Sequence, residues 1–223
     1  TQLGIFEAGI SQPHEMERLE PIIRPTIGIF TNLGEAHQEN FSGLKQKCEE
    51  KLKLFTHAEV LIYCCDNKLV DIAIVQSNFK GKLFSWGKNE KAVVRILNIK
   101  KQSNATEVSL KYQNHEDTFT IPFIDDASIE NSLHCISLML YLGHDYETIK
   151  NRISQLEAVE MRLEVKQGMH NCLIINDTYN SDINSLTIAL DFLNQQTAFK
   201  DLSRTLILSD ILQSGHSSEE LYK

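Results

Sequence analysis

Short apolar runs, each followed by polar residues, dominate the first part of the chain. They occupy positions 3–6, 27–30, 59–66 and 82–87. Continuous apolar runs of this length are typical of strands buried on both faces, as in a parallel sheet covered by helices. Between them, apolar residues at helical spacing predict amphipathic helices around 44–55 and 69–75, whereas Pro21 and Pro25 prevent a long helix in 13–24. The pattern predicts an α/β fold with a mostly parallel sheet.

The hydrophobic period changes after Lys91. Alternating apolar and polar residues at 92–101, 106–112 and 118–123, separated by turn-rich residues, predict an antiparallel three-stranded insert. A helix capped by Asp126 or Ser128 then runs to Gly143, and another spans about 146–156. Beyond these we expect a hairpin or adjacent strands at 162–168 and 172–177, a helix near 182–195 and a strand at 204–210.

Two domains are predicted, with a boundary near 157–161. We assign 1–159 to a central α/β domain and 160–223 to the start of a second, Rossmann-like domain. The chain begins within a predicted element, and its last 63 residues are too few for a complete doubly wound domain. We therefore expect that the sequence is a fragment of a longer protein.

The net charge of −8 argues against general binding to nucleic acid or to anionic membranes, because both favour a basic surface. No apolar run approaches the roughly 20 residues that span a bilayer. The five cysteines lack the CxxC spacing of zinc sites and are predicted to be reduced core thiols. This favours a cytoplasmic protein.

Polar side chains follow the first two predicted strands. Glu7 follows the first, and Asn32 and His37 follow the second, at the edge where parallel sheets bind ligands. A carboxylate such as Glu7 is a hard oxygen ligand that suits Mg²⁺, but it is also an ordinary strand-end acid. His37 could be a loop histidine or a metal ligand. A deaminase-like HxE with Glu39 would need a downstream PCxxC motif, which the sequence lacks.

Several of these residues stand in motifs that resemble the ATP-dependent Mur ligases, most closely the F-type enzymes. The motifs are ExG at 7–9, TNLGEAHQENF at 31–41, KLKLF at 51–55, Asn131, Arg162 and NDTYNSD at 176–182. The resemblance covers nearly the whole chain. It implies a ligase of peptidoglycan synthesis that uses ATP and Mg²⁺ to join D-alanyl-D-alanine to UDP-N-acetylmuramoyl-tripeptide.

The resemblance also implies roles for the site residues near the metals. Glu7 would hold Mg²⁺, His37 would lie near a second metal ion and the phosphates, and Asn32 would shape the site. Lys51 lies where related ligases carry a lysine carbamylated by CO₂, although a solvated helix lysine is the simpler interpretation. Lys47 and Lys53 are expected to point elsewhere around the helix.

For the nucleotide, the resemblance implies that Asn131 contacts adenine. Arg162 would reach the phosphates. Asp177 would bind the ribose, with Tyr179 and Asn180 beside it. Ordinary capping roles remain open for Asn131 and for the cluster at 176–182. The family's His-Asn pair before Asn131 is replaced by Ala127 and Ser128.

The glycine-rich loop ending in GK[ST], which cradles phosphates in these ligases, does not occur in the 223 residues. The chain alone is therefore expected to be inactive. A folylpolyglutamate synthase, another Mur-type ligase and a non-catalytic scaffold of the same fold remain alternatives. The stretch 125–143 also resembles ligases fused to an alanine racemase that uses pyridoxal phosphate.

Overall fold

A computed structural model describes residues 3–34, 40–159, 162–179, 183–195 and 203–211. The chain divides into two compact units. The first contains the described residues up to Ile96 together with Lys111–His115. The second contains Leu97–Leu110 and the described residues from Glu116 onward. The predicted domain boundary after residue 159 stays a prediction.

Six strands form one mixed sheet whose spatial order follows the chain order. They are β1 (Ile27–Phe30), β2 (Val60–Cys64), β3 (Lys82–Gly87), β4 (Val94–Lys101), β5 (Thr106–Tyr112) and β6 (His115–Ile121). Strands β1, β2 and β3 pair in parallel, with Ile62 of β2 between Ile29 and Phe84. The predicted parallel sheet flanked by helices is confirmed.

Strand β4 joins β3 in parallel, through the pairs Trp86–Val94 and Gly87–Arg95. Residues 102–105 connect β4 to β5, and 113–114 connect β5 to β6. Connections this short join antiparallel strands, because a parallel crossover needs a dozen residues or more. The predicted meander is therefore present, but it extends the parallel sheet and is not a separate layer.

Two further strands form an antiparallel hairpin in the second unit, β7 (Glu164–Gln167) and β8 (Leu173–Asn176). The described helices are α1 (Glu15–Ile23), α2 (Leu44–Lys53), α3 (Lys68–Gln76), α4 (Asp126–Tyr141), α5 (Tyr146–Ile153) and α6 (Ile183–Gln195). None of these helices is both long and apolar enough to cross a membrane.

The cap of α4 differs from the prediction. Asp125, not Asp126 or Ser128, is the N-cap, and its carboxylate accepts a hydrogen bond from the Ser128 backbone N–H at 2.7 Å. Asp125 has the extended backbone that an N-cap requires, whereas Asp126 is already the first helical residue. At the other end Gly143 takes the left-handed conformation, with φ of 81°, just past the helix.

Two predicted strands are not formed. Residues 3–6 and 204–210 have no regular secondary structure, and their apolar side chains are exposed, with Ile5 at 87% and Ile207 at 91%. An apolar run becomes a strand only where a neighbouring strand takes up its backbone hydrogen bonds. No described strand pairs with either run. Both predictions were wrong for the chain as described.

The core of the first unit fixes the position of α2 against the sheet. Cys48 and Leu52 of α2 are buried in one cluster with Phe30 and Leu61 from the strands, and with Phe55 just beyond the helix. Because helix and strands share this cluster, α2 is held close to β1. The lysines of α2 can therefore reach the carboxyl end of β1.

Gly28 of β1 permits this close packing. A Cβ atom at this position would lie 2.5 Å from Cδ1 of Phe55 and 3.0 Å from Cδ1 of Leu61. We expect Gly28→Ala to lower the free energy of unfolding by about 1–3 kcal/mol, the usual cost of overpacking a core. Thermal unfolding of the two proteins measures this. Gly43, where an added Cβ meets nothing within 4 Å, is the matched control. Equal losses for Gly28→Ala and Gly43→Ala would contradict the packing argument.

Candidate functional site

Helix α2 presents its lysines on two different faces. The helix begins after Ser42, whose N–H and hydroxyl both donate to Oε1 of Gln46, at 2.7 and 2.9 Å. Its apolar stripe of Cys48 and Leu52 enters the core. The remaining faces carry the lysines, two of which reach the segment after β1 and one of which reaches α1.

Lys51 lies at the carboxyl end of β1. Its Nζ donates a hydrogen bond to the backbone carbonyl of Asn32 at 2.8 Å and lies 5.6 Å from the ring centroid of Phe30. The side chain is half-buried. Lys51 is thus tied to the segment that leaves the strand and does not extend into solvent as an ordinary surface lysine would.

Burial lowers the pKa of Lys51, since the charged ammonium loses hydration there. A negative charge on Cys48, one turn earlier, would act in the opposite sense and raise the pKa of Lys51. Burial raises the pKa of Cys48 itself to about 11, however, so at neutral pH this thiol carries no charge that could stabilise the ammonium. The environment therefore favours a neutral amine at Lys51 more than water does.

Lys47 was expected to point elsewhere, and that prediction was wrong. Its Nζ donates to the carbonyl of Gly34 at 2.6 Å, so it reaches the same segment as Lys51. The two lysines are four residues apart, a spacing that places side chains on one face of a helix. This spacing is the feature of the sequence that could have indicated a shared face for Lys47 and Lys51. Lys53 does point away, as expected.

The segment 31–34 has no regular secondary structure, and Asn32 is exposed at its centre. Its backbone carbonyl accepts the hydrogen bond from Lys51. The site-shaping role of Asn32 stays a prediction. His37 lies outside the described residues. Its predicted roles in metal and phosphate binding stay predictions.

Glu7 lies before α1 in a segment without regular secondary structure, and Glu7 is exposed. Because residues 3–6 form no strand, Glu7 is not at a strand end as predicted. The same segment continues into an open cleft, whose lining residues are Gly9, Ile10, Ser11, Glu15, Arg18 and Leu19. The metal-binding role of Glu7 stays a prediction.

A charged cluster joins α1 to α2. Lys53 contacts Glu17 of α1 and Glu50 of α2, and Glu50 also accepts the backbone N–H of His14 at 3.0 Å. Nδ1 of His14 lies 3.0 Å from Oε2 of Glu17. The ligand atoms of His14, Glu17 and Glu50 lie within 4.8 Å of one another, as in a metal site. Lys53 already supplies the positive charge here, so the cluster is structural.

This cluster predicts a pH-dependent contribution to stability. Burial acts to raise the pKa of Glu50, but the hydrogen bonds from Lys53 and the His14 N–H outweigh it, so the pKa is lowered. A carboxyl group whose pKa is lowered on folding stabilises the fold at pH values above its ordinary pKa of 4.5. That stabilisation is lost as the pH falls through the folded-state pKa.

We therefore expect Lys53→Met to reduce stability by about 1–2 kcal/mol at pH 7 and by less below pH ~4. Thermal unfolding across this pH range measures the difference. Lys45→Met is the control, because the side chains of Lys45 and Glu49 are exposed and their closest approach is 3.9 Å. A loss that does not change with pH would contradict the assignment of Glu50.

The hairpin β7–β8 brings three predicted nucleotide-binding residues together. The guanidinium carbon of Arg162 lies 4.3 Å from the ring centroid of Tyr179, a cation–π contact. Oδ1 of Asp177 accepts the Leu163 N–H at 3.1 Å. Because Glu164 pairs with Asn176, the residues just before β7 and just after β8 meet at one end of the hairpin. Asn180 lies outside the described residues.

Asn131 lies in α4 and is exposed. Asp125 caps this helix, so Asn131 is one turn beyond the capping positions and does not have the capping role that the sequence left open. Its side chain is available on the helix surface. The adenine-binding role stays a prediction.

Comparison with known proteins gives the family. Residues 1–139 match the Mur ligase middle domain. The UDP-N-acetylmuramoyl-tripeptide–D-alanyl-D-alanine ligase of Bacillus subtilis is 25% identical over 100% of this chain and 48% of its own length. The ligase of the same name from Rickettsia prowazekii is 25% identical over 100% of this chain and 50% of its own length. The chain thus spans about half the length of the curated relatives it matches.

Solved structures show the same fold. A crystal structure of MurF from Acinetobacter baumannii aligns with 84% of this chain and 41% of its own, with a TM-score of 0.70 and 22% identity. The MurF ligase from Thermotoga maritima in complex with ADP aligns with 83% of this chain and 43% of its own, with a TM-score of 0.68 and 18% identity. The motifs, the sheet and the match over residues 1–139 agree, and the chain belongs to the Mur ligase family.

Proposed function

We propose that this chain is part of an ATP-dependent ligase that joins D-alanyl-D-alanine to UDP-N-acetylmuramoyl-tripeptide in peptidoglycan synthesis. One observation carries the assignment: ligases named for this reaction match the chain from end to end. The five free cysteines suit the predicted cytoplasmic location. The resemblance to ligases fused to an alanine racemase stays a prediction about the parent protein.

The proposed reaction has two steps. A carboxylate oxygen of the tripeptide attacks the γ-phosphorus of ATP, which gives an acyl phosphate and ADP. The amine of D-alanyl-D-alanine then attacks the acyl carbon, loses a proton and expels inorganic phosphate from the tetrahedral intermediate. In such phosphoryl transfers the protein chiefly positions the reactants and stabilises charge.

Lys51 would serve the metal site as a carbamate. Only a neutral amine attacks CO₂: an N–C bond forms, a proton leaves, and the product carries a negative charge. The lowered pKa of Lys51 supports this step, because it increases the neutral fraction. The ammonium form would repel Mg²⁺, whereas carbamate and Glu7 carboxylate oxygens are ligands that Mg²⁺ prefers. Bound Mg²⁺ would neutralise developing phosphate charge.

The second unit would bind the nucleotide. The planar guanidinium of Arg162 suits phosphate oxygens, and it lies over the ring of Tyr179. Oδ1 of Asp177 is engaged by a backbone N–H, and a carboxylate has further acceptor capacity for ribose hydroxyls. Asn131, with Asn180, completes the proposed set.

The test is product formation by the intact protein encoded by the gene. We expect the tripeptide to gain the mass of D-alanyl-D-alanine, minus water, only when ATP and both substrates are present. ATP-dependent addition of glutamate to a folate would support a folylpolyglutamate synthase instead. Addition of a single amino acid in place of D-alanyl-D-alanine would indicate another Mur-type ligase. ATP-independent binding of the nucleotide precursor without turnover would support a scaffold.

A further inference from the structure

Lys47 is buried in a way that ordinary helix lysines are not. Lys47 is only 3% exposed. Its Nζ donates a hydrogen bond to the Gly34 carbonyl at 2.6 Å and lies 5.8 Å from the ring centroid of Phe41. Removing an ammonium from water costs free energy unless polar groups replace the lost hydration. Methionine would fill similar space without that cost. The burial of Lys47 therefore indicates that its amine has a local role.

Lys47 and Lys51 hold the same segment at two points. They rise from successive turns of α2 and donate to carbonyls only two residues apart, at Gly34 and Asn32. We call this pair of hydrogen bonds the lysine clamp. The segment it holds carries Asn32 and leads directly towards His37 in the sequence.

The two halves of the clamp respond differently to the chemistry proposed for Lys51. Carbamylation removes the positive charge of Lys51 and leaves its nitrogen a single N–H. The hydrogen bond to Asn32 then loses its charge assistance, which is about half of its strength. Lys47 is not altered by this chemistry and keeps its hydrogen bond to the Gly34 carbonyl.

We propose that Lys47 is a positioning residue, which keeps the segment 31–34 in place when Lys51 becomes a metal-binding carbamate. This rests on the proposed function for its catalytic consequence. The hold on Gly34 does not depend on it. The role proposed for Lys47 is to hold the segment after β1, without contact to a reactant.

The first test is backbone hydrogen exchange in the intact protein. We expect Lys47→Met to speed exchange of the amides in 31–34 about tenfold, with β2 and β3 unchanged. Lys47→Arg keeps a buried cation and should stay near the wild-type rate. Lys45→Met, on the exposed side of the same helix, should have no effect. Unchanged exchange in Lys47→Met, or an equal increase throughout β1–β3, would overturn the proposal.

The second test separates positioning from general stability. Lys47→Met should lower kcat about tenfold while the KM for D-alanyl-D-alanine stays within about twofold, because the acceptor is still bound but the site is misaligned. Lys47→Arg should recover most of kcat. Equal kcat in Lys47→Met and wild type, or no recovery in Lys47→Arg, would overturn the positioning role. If wild type itself makes no amide product, the proposed function fails, and the exchange test still decides whether Lys47 holds the segment.

Discussion

Replacing Lys51 with alanine in the intact protein is expected to reduce amide formation by about a hundredfold or more, the usual loss when one charge-stabilising group is removed from an active site. Alanine retains the helix but supplies neither the amine nor the carbamate oxygens. The hydrogen bond to the Asn32 carbonyl is lost at the same time. Steady-state release of ADP and of the amide product measures both halves of the reaction.

Chemical rescue separates the two roles of Lys51. A short carboxylic acid such as acetate can enter the space left by the side chain and place two oxygens where the carbamate stood. We expect it to restore part of the activity of Lys51→Ala and none of the activity of Glu7→Ala. Lys45→Ala serves as the control for a lysine of the same helix with an exposed side chain. Full activity of Lys51→Ala would return this residue to the role of a surface lysine.

The 223-residue chain alone is expected to show no ligase or ATPase turnover and little affinity for ATP at millimolar Mg²⁺. The glycine-rich loop whose backbone N–H groups and lysine bind phosphates does not occur among these residues. Charge-assisted hydrogen bonds are worth about 1.5–3 kcal/mol each. The loss of several should therefore weaken binding by orders of magnitude.

Calorimetry with ATP measures this affinity, and the intact protein provides the comparison. We expect tight binding and turnover only in the intact protein. Glu7→Ala in the 223-residue chain gives the background rate. Turnover by the unaltered chain above that background would show that the phosphate site is built from the residues present here, contrary to our account.

The parallel strands could be predicted from the sequence because a strand buried on both faces needs a continuous run of apolar residues. All residues of β2 from Val60 to Tyr63 are buried, as the apolar run at 59–66 indicates. The apolar runs at 3–6 and 204–210 led to wrong strand predictions. Composition shows the apolar character of a strand but not whether a neighbouring strand pairs with it. Strand pairing is a tertiary property.

The lysines show the same limit at the scale of a site. The motif at 51–55 makes Lys51 the candidate for carbamylation. Lys47 was expected to point elsewhere, although its four-residue spacing from Lys51 is typical of side chains on one helix face. The sequence does not tell which backbone carbonyls that face meets. Only the packing of α2 against β1, which depends on Gly28 and Phe55, brings both amines to the segment after the strand.

The residues proposed to bind the nucleotide were easier to group from the sequence. Arg162 and Asp177 are 15 positions apart in sequence, but a hairpin or adjacent strands were predicted at 162–168 and 172–177. Antiparallel pairing then brings the two ends of the hairpin together. The contact between Arg162 and Tyr179 could not be predicted, because it depends on how the chain turns after β8.

The central claim is that Lys51 becomes a carbamate at the carboxyl end of β1, and carbon-13 NMR of the intact protein supplied with labelled bicarbonate tests it most directly. We predict a carbamate resonance that disappears on acidification and is absent from Lys51→Arg, whose guanidinium does not react with CO₂. Lys45→Arg should keep the resonance. A spectrum with no carbamate resonance at neutral pH, or with the same resonance in Lys51→Arg, would contradict the account.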